Sequence, residues 1–273
     1  MSDQSVDKAA TVAALRRTLA QMSGRPHAAP NSGSESSGSE SSGSESFWGG
    51  STMLAVPTPI AELLPRRGLA PGSVVSVSGA MTLPVALLAA ASAAGATAAV
   101  VGLPELNLAM AADLGADLGR IAVVESPSTR ASGSGTWDRL EVAAVLLDGI
   151  DLVVVGVDRV TPSRARVLTG RARRQSSTLL VVGPPAAWPG ASVRFSGDVA
   201  GYRHLPLRRN GYGRIGGLQV DVAVSGTGIA PRRLRCELVT PGIGEPGTLR
   251  LEAVEPTRRP AAAPAREGWA VAN

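Results

Sequence analysis

Apolar positions gather into five compact runs, Val74–Val77, Thr97–Val101, Ile121–Val124, Leu152–Val155 and Thr178–Val182, each bounded by turn residues. Runs this short and this uniformly apolar predict strands buried on both faces. Helical spacing intervenes at about 84–94, 107–115, 137–147 and 162–174. Such alternation predicts an α/β fold: a mainly parallel twisted sheet with right-handed crossovers, flanked by helices. After Val182 the pattern changes. Short alternating segments at 203–208, 218–224, 233–239 and 248–252, separated by Gly/Pro turns, predict antiparallel strands on the C-terminal side of the sheet.

The flanks read differently. Val12, Leu15, Leu19 and Met22 recur at helical spacing before Gly24, which predicts a short amphipathic helix over 5–22. A helix of that length is marginal alone, so it should dock on its own domain or on another chain, with Leu15 and Leu19 as candidate contacts. The segment "NSGSESSGSESSGSES" that follows has no apolar area to bury and reads as a flexible acidic tether. As a coil, residues 24–46 would span about 25–30 Å. From Pro256 the chain is Pro/Ala-rich and reads as a disordered tail that carries Trp269, a candidate anchor for a partner. The expected organisation is a helix at 1–23, a linker at 24–50, a folded domain at 51–255 and a tail at 256–273.

Composition narrows the chemistry. Eight residues are aromatic, so the core must be built from Val, Leu, Ile and Ala. Lys8 is the single lysine and lies far from any strand, which excludes lysine-dependent phosphate capture and Schiff-base chemistry. Cys236 is alone, so no disulfide framework exists; between Leu234 and Leu238 it reads as a buried, inert thiol. His204 sits in an Arg-rich stretch without a nucleophile-elbow signal. Residues 151–273 carry 18 Arg against 9 acids and the remainder is net −4, so the C-terminal half is basic. That balance suits nucleic acid, an acidic protein partner, or simply a solvated surface. The charge-free stretch between Arg67 and Glu105 is broken by Pro84 and Gly95 and fits a buried helix leading into a buried strand better than a membrane span. No secretory signal is read, and the expected location is the cytoplasm, away from any membrane.

Four motifs bear on function. In "SVVSVSGAMTLPVALLAAASAAG" a strand ends in Gly79 and a helix follows, the frame of a phosphate-binding loop. Such a loop needs backbone amides around the phosphates, a lysine to neutralise them and a hydroxyl for magnesium. Those last places fall on Pro84, Val85 and Ala86. The strand "DLVVVG" is followed by Gly156 where a magnesium-organising acid would stand, with Asp158 two places on. "GYGRIGG" matches a dinucleotide fingerprint at Gly211, Gly213 and Gly216, but an alternating strand follows it, which favours a hairpin turn. "TPSRARVLTGRARR" opens with Thr161 as cap and Pro162 at the first helical position. It sets Arg164, Arg171 and Arg174 on one flank and Arg166 and Arg173 on the other, an edge able to hold DNA backbone or an acidic partner.

In fixed order, these segments resemble the RecA recombinase family across roughly residues 57–225. "AAVVGLPELNLAMAADLGADLGRIAVVESP" at Ala98–Pro127 follows its pattern without a gap, "GIDLVVVGVDRVTP" stands at its Walker B strand, and "STLLVVGP" at its next core strand. The resemblance implies a RecA-like core whose nucleotide site is degenerate. About five residues of the phosphate loop are missing, with Thr82 the nearest hydroxyl, and the family's catalytic glutamate falls on Pro104, with Glu105 one place late. The Walker B acid falls on Gly156, and the second DNA-binding loop shortens to "PPAAWPGAS" at 184–192. Within the family the chain is similar to the ImuA-prime accessory proteins of actinobacterial mutagenesis cassettes. That likeness implies no cofactor and no catalysis. It implies a damage-inducible (SOS) partner of ImuB, an inactive Y-family-polymerase-like protein, and through it of an error-prone DnaE-type polymerase and the sliding clamp. Self-association and direct DNA contact are further expectations. The competing readings are a residual or regulatory ATPase and a non-catalytic single-stranded-DNA binder.

Overall fold

The computed structural model describes residues 53–125, 138–204, 215–239 and 249–254. The helix expected at 5–22, the tether and the tail lie outside them. One nine-stranded sheet organises the rest, in the order β3-β2-β4-β5-β1-β6-β7-β8-β9. The strands are β1 Val74–Gly79, β2 Ala98–Val101, β3 Ile121–Val124, β4 Leu152–Gly156, β5 Thr178–Val182, β6 Val193–His204, β7 Ile215–Gly226, β8 Ile229–Val239 and β9 Arg250–Val254. Between β3 and β6 every neighbouring pair is parallel, and from β6 to β9 every pair is antiparallel. This is the architecture implied by the RecA resemblance.

Helices cover both faces of the parallel half. α1 (Thr58–Ala61), α2 (Thr82–Ala93) and α3 (Leu108–Asp113) belong to one face; α4 (Arg139–Leu146) and α5 (Pro162–Gln175) belong to the other. Strand alternation sorts the two cores. Val75, Val77, Val100, Val154 and Leu180 pack with α2, whereas Val74, Val101, Val153, Val155 and Leu179 pack with α4 and α5. α2 explains the charge-free stretch: ten of its twelve residues are buried, so no side of it tolerates a charge. Pro84 is its third residue, where an amide would lack an intrahelical acceptor anyway. No helix among the described residues is long and apolar enough to cross a membrane.

The five parallel strands and their four helices fall where the hydrophobic pattern places them. β6 does not. The pattern puts the first late strand at 203–208, but β6 already begins at Val193 and pairs parallel with β1 from Val75↔Val193 to Gly79↔Gly197. Its core contributions are Val193 and Phe195, while Gly197, Asp198 and Gly201 interrupt the apolar alternation that would have announced it. β6 and β7 pair antiparallel as far as His204↔Ile215. Gly216 lies in β7, so a strand and not a helix follows the glycine fingerprint; Gly211 and Gly213 lie outside the described residues. Cys236 is buried in β8, and burial together with the negative Asp221 pushes its thiol up to about 11.

Candidate functional site

The C-terminal ends of β1, β4 and β5 open onto a cleft of about 260 Å³, where parallel α/β sheets bind ligands. Ser78, Gly79, Glu105, Arg139, Gly156 and Asp158 line it. Ala80 and Met81 alone connect β1 to α2. Several amides of this turn and of the first turn of α2 are already used. The N–H of Ala80 donates to Gly197 O at 2.7 Å, that of Leu83 to Ala80 O at 3.1 Å and that of Val85 to Met81 O at 3.3 Å, and Pro84 has none. Thr82, the stand-in for the loop's hydroxyl, is buried, and Val85 and Ala86 are core residues.

The second position of the expected chemistry is closed by packing. A Cβ on Gly156 would stand 2.8 Å from Leu103 Cδ2 and 2.9 Å from Gly102 O, so no aspartate fits there without displacing Leu103. Pro104 and Glu105 are exposed beyond β2, and Asp158 is exposed two residues past the end of β4. Glu105 and Asp158 both reach the cleft lining.

Arg139, which no motif announces, is the cation of this cleft. It opens α4 directly after the cap Asp138, and its Nη1 donates to Gly156 O at 3.4 Å. A Cβ on Gly102 would meet its Cδ at 2.7 Å, so the side chain lies across Gly102 toward Gly156. The sequence signal was indirect: an N-cap aspartate fixes the next residue in the first turn of a helix at the strand ends. Magnesium and a nucleoside triphosphate do not fit these residues. The turn is two residues long with the Ala80 N–H already bonded, the strand-end acid has no room, and Arg139, the cation of the cleft among the described residues, is held against backbone.

The arginine-rich helix lies on the other core. Thr161 caps α5 by accepting from Arg164 N–H at 3.4 Å, and Ala165, Leu168 and Ala172 form its buried stripe. Arg164 pairs with Asp138. Burial alone would raise that carboxyl, but the Arg164 guanidinium and the Leu140 N–H outweigh it and hold it below its ordinary value. Arg171 donates to Asp148 through Nε, at 2.8 Å, and through Nη2, which raises the arginine's own pKa. These two arginines tie α5 to α4 and the turn after it. Arg166, Arg173 and Arg174 are exposed and make no ion pair among the described residues. Leu15, Leu19 and Trp269 lie outside the described residues.

The model of the family described as the MT3502 N-terminal domain matches residues 62–190. The uncharacterized protein Rv3395c of Mycobacterium tuberculosis is 41% identical over 174 residues, spanning 61% of this chain and 80% of that protein. The chain belongs to this family. The MT3502 N-terminal match runs from just before β1 to just before β6, so it contains the strand-end cleft and the whole of α5. A solved KaiC-like protein of Pyrococcus horikoshii superposes with a TM-score of 0.46 at 16% identity, covering 74% of this chain and 99% of that one.

Proposed function

We propose that this protein is a non-catalytic RecA-like accessory factor of damage-induced translesion synthesis and mutagenesis, working through protein–protein contacts. The observation that carries the reading is the two-residue turn between β1 and α2, too short to wrap a phosphate and fastened through its Ala80 N–H to Gly197 O. A RecA-like sheet kept intact around a closed phosphate site is useful as a platform. In this reading the partners are those implied by the ImuA-prime likeness: an inactive Y-family-polymerase-like protein, and through it an error-prone DnaE-type polymerase and the sliding clamp.

Two measurements test it together. Isothermal titration with ATP and magnesium should show no binding heat, and a strain lacking the gene should lose damage-induced mutation until the chain is restored. Saturable ATP binding, or full mutation without the gene, overturns the reading.

A single-stranded-DNA-binding role is the second reading, with residual nucleotide binding as its regulatory variant. Arg166, Arg173 and Arg174, exposed and unpaired among the described residues, favour it. It requires an oligonucleotide affinity that falls steeply with salt, with a slope that shrinks when these arginines are removed.

A further inference from the structure

We propose that the solvent face of α5 docks an acidic amphipathic helix of a partner protein, packed across Gly170 with its carboxylates on Arg166 and Arg173. The inference rests on the protein–protein part of the reading above and names a surface and a partner chemistry for it. It does not depend on the mutagenesis pathway.

Three observations converge on it. The first is the pattern of the exposed face. Ala165, Leu168 and Ala172 turn inward, so Ser163, Val167, Gly170 and Arg174 fall on the opposite side, at spacings of four, three and four. That is the spacing of a helix-packing seam. Val167 stands in it 67% exposed, the most exposed large hydrophobic among the described residues.

The second is Gly170, which the fold itself does not require. It lies inside a regular helix, where only proline is a poorer former. Its φ is not positive. A Cβ there would meet nothing nearer than Arg174 Nη1, the far end of a flexible side chain, at 3.6 Å. Neither backbone conformation nor packing among the described residues calls for glycine. What the absent side chain leaves is room for a second helix to come close.

The third is charge. α5 carries five arginines and no acid. Asp138 and Asp148 pair with Arg164 and Arg171 on the flank facing α4. Arg166 and Arg173 flank the seam on its other side, two turns or about 10 Å apart. No acid lines the cleft beside Arg173, which is bordered by Gly72, Ser73, Thr169, Gly190 and Ser192. Residues seven apart beside such a seam select a partner helix by charge, and two carboxylates at the same spacing would meet both arginines. The same charge repels a second copy of α5. A nucleic-acid backbone would use the arginines but gain nothing from Val167 or from the gap over Gly170.

The test uses the full chain and, as probe, a lactam-bridged helical peptide with glutamates seven residues apart beside a seam of alanine and leucine. Gly170→Gln keeps every charge, adds a better helix former and meets only Arg174, so it should melt no lower than the natural chain. It should still weaken peptide binding about tenfold, as should Arg166→Gln/Arg173→Gln. Binding of a fluorescent single-stranded oligonucleotide should be indifferent to Gly170→Gln. In cells, a benzophenone amino acid in place of Val167 should crosslink to a partner protein within a segment bearing acids seven residues apart, and Gly170→Gln should abolish that crosslink. Peptide affinity indifferent to Gly170→Gln overturns the proposal, as does a crosslink to nucleic acid, to a second copy or to nothing. If mutation is lost with the gene but intact in Gly170→Gln, the broader role stands and this surface falls.

Discussion

The Ala80 N–H donates to the carbonyl oxygen of Gly197 at 2.7 Å and so fastens the turn after β1 to the strand beside it. Gly79 and Gly197 are register partners, and a Cβ on Gly79 would stand 2.0 Å from that same oxygen. Gly79 also has φ +85°. Gly79→Ala should therefore cost about 3 kcal/mol or more, from backbone strain plus a contact with a rigid carbonyl. Gly95, at φ +96° with open space around it, supplies the comparison, since Gly95→Ala meets strain alone and should cost about 1 kcal/mol. Urea unfolding of the two variants measures the difference. Equal losses would mean that the Gly79–Gly197 approach has no energetic weight.

Restoring the strand-end acid should not restore a site. Gly156→Asp would drive its Cβ into Leu103 Cδ2 and Gly102 O and place a carboxylate at the end of a fully buried strand. Overpacking of this kind costs about 1–3 kcal/mol. The variant should melt several degrees lower than the natural chain and show no ATP turnover above background. A variant that melts normally and gains turnover would show that the cleft needs only its acid.

Trp188 sits in the short segment between β5 and β6, 1% exposed and packed in the core shared with α4 and α5. Its indole Nε1 has no partner among the described residues. Trp188→Phe gives up part of the ring volume but no hydrogen bond, so it should cost about 1–2 kcal/mol, well short of full truncation. Trp188→Ala leaves a cavity and should cost about 3–5 kcal/mol. Chemical unfolding separates the two. A large loss in the phenylalanine variant would point to a water or other acceptor on the indole nitrogen.

What the sequence made legible follows from which forces are local. Uniform burial leaves a compositional mark, so β1 to β5 and the charge-free α2 could be read directly from apolar runs. β6 hid because Gly197, Asp198 and Gly201 erase the apolar alternation that marks a strand, and its pairing with β1 joins segments more than a hundred residues apart. Trp188 is likewise silent in sequence, since a tryptophan between prolines and glycines reads as loop until the sheet closes over it. The missing lysine and acid were visible as identities. The Ala80 bond to Gly197 and Leu103 beside Gly156 were not, because both arise from contacts between segments far apart in the chain. For α5, spacing found the buried stripe and both arginine flanks but not which arginines folding neutralises. Asp138 and Asp148 decide that from another helix and its following turn.

Asp138 combines two roles that substitution and pH can separate. Its carboxylate caps α4 through Leu140 N–H at 2.9 Å and pairs with Arg164 across the helices. Asparagine caps almost as well as aspartate but carries no charge, so Asp138→Asn should lose only the pair. Both side chains are partly exposed, 39% for Arg164 and 27% for Asp138, so solvent screening limits that loss to about 0.5–1 kcal/mol. Asp138→Ala should lose the cap as well, for a total of about 1–2 kcal/mol. The pH dependence has a definite sign. The folded-state carboxyl lies below its ordinary value of 3.8, so the folded chain binds this proton more weakly than the unfolded chain. The stabilisation is complete above the unfolded value and is lost as pH falls through the folded one. Urea midpoints of the natural chain and Asp138→Asn should therefore differ at pH 6 and converge below about pH 4. The alanine variant should remain weaker at both ends, because even a protonated carboxyl accepts a backbone hydrogen bond and alanine cannot. A gap between natural chain and Asp138→Asn that persists unchanged at the lowest pH would show that the Arg164 pair is not its source.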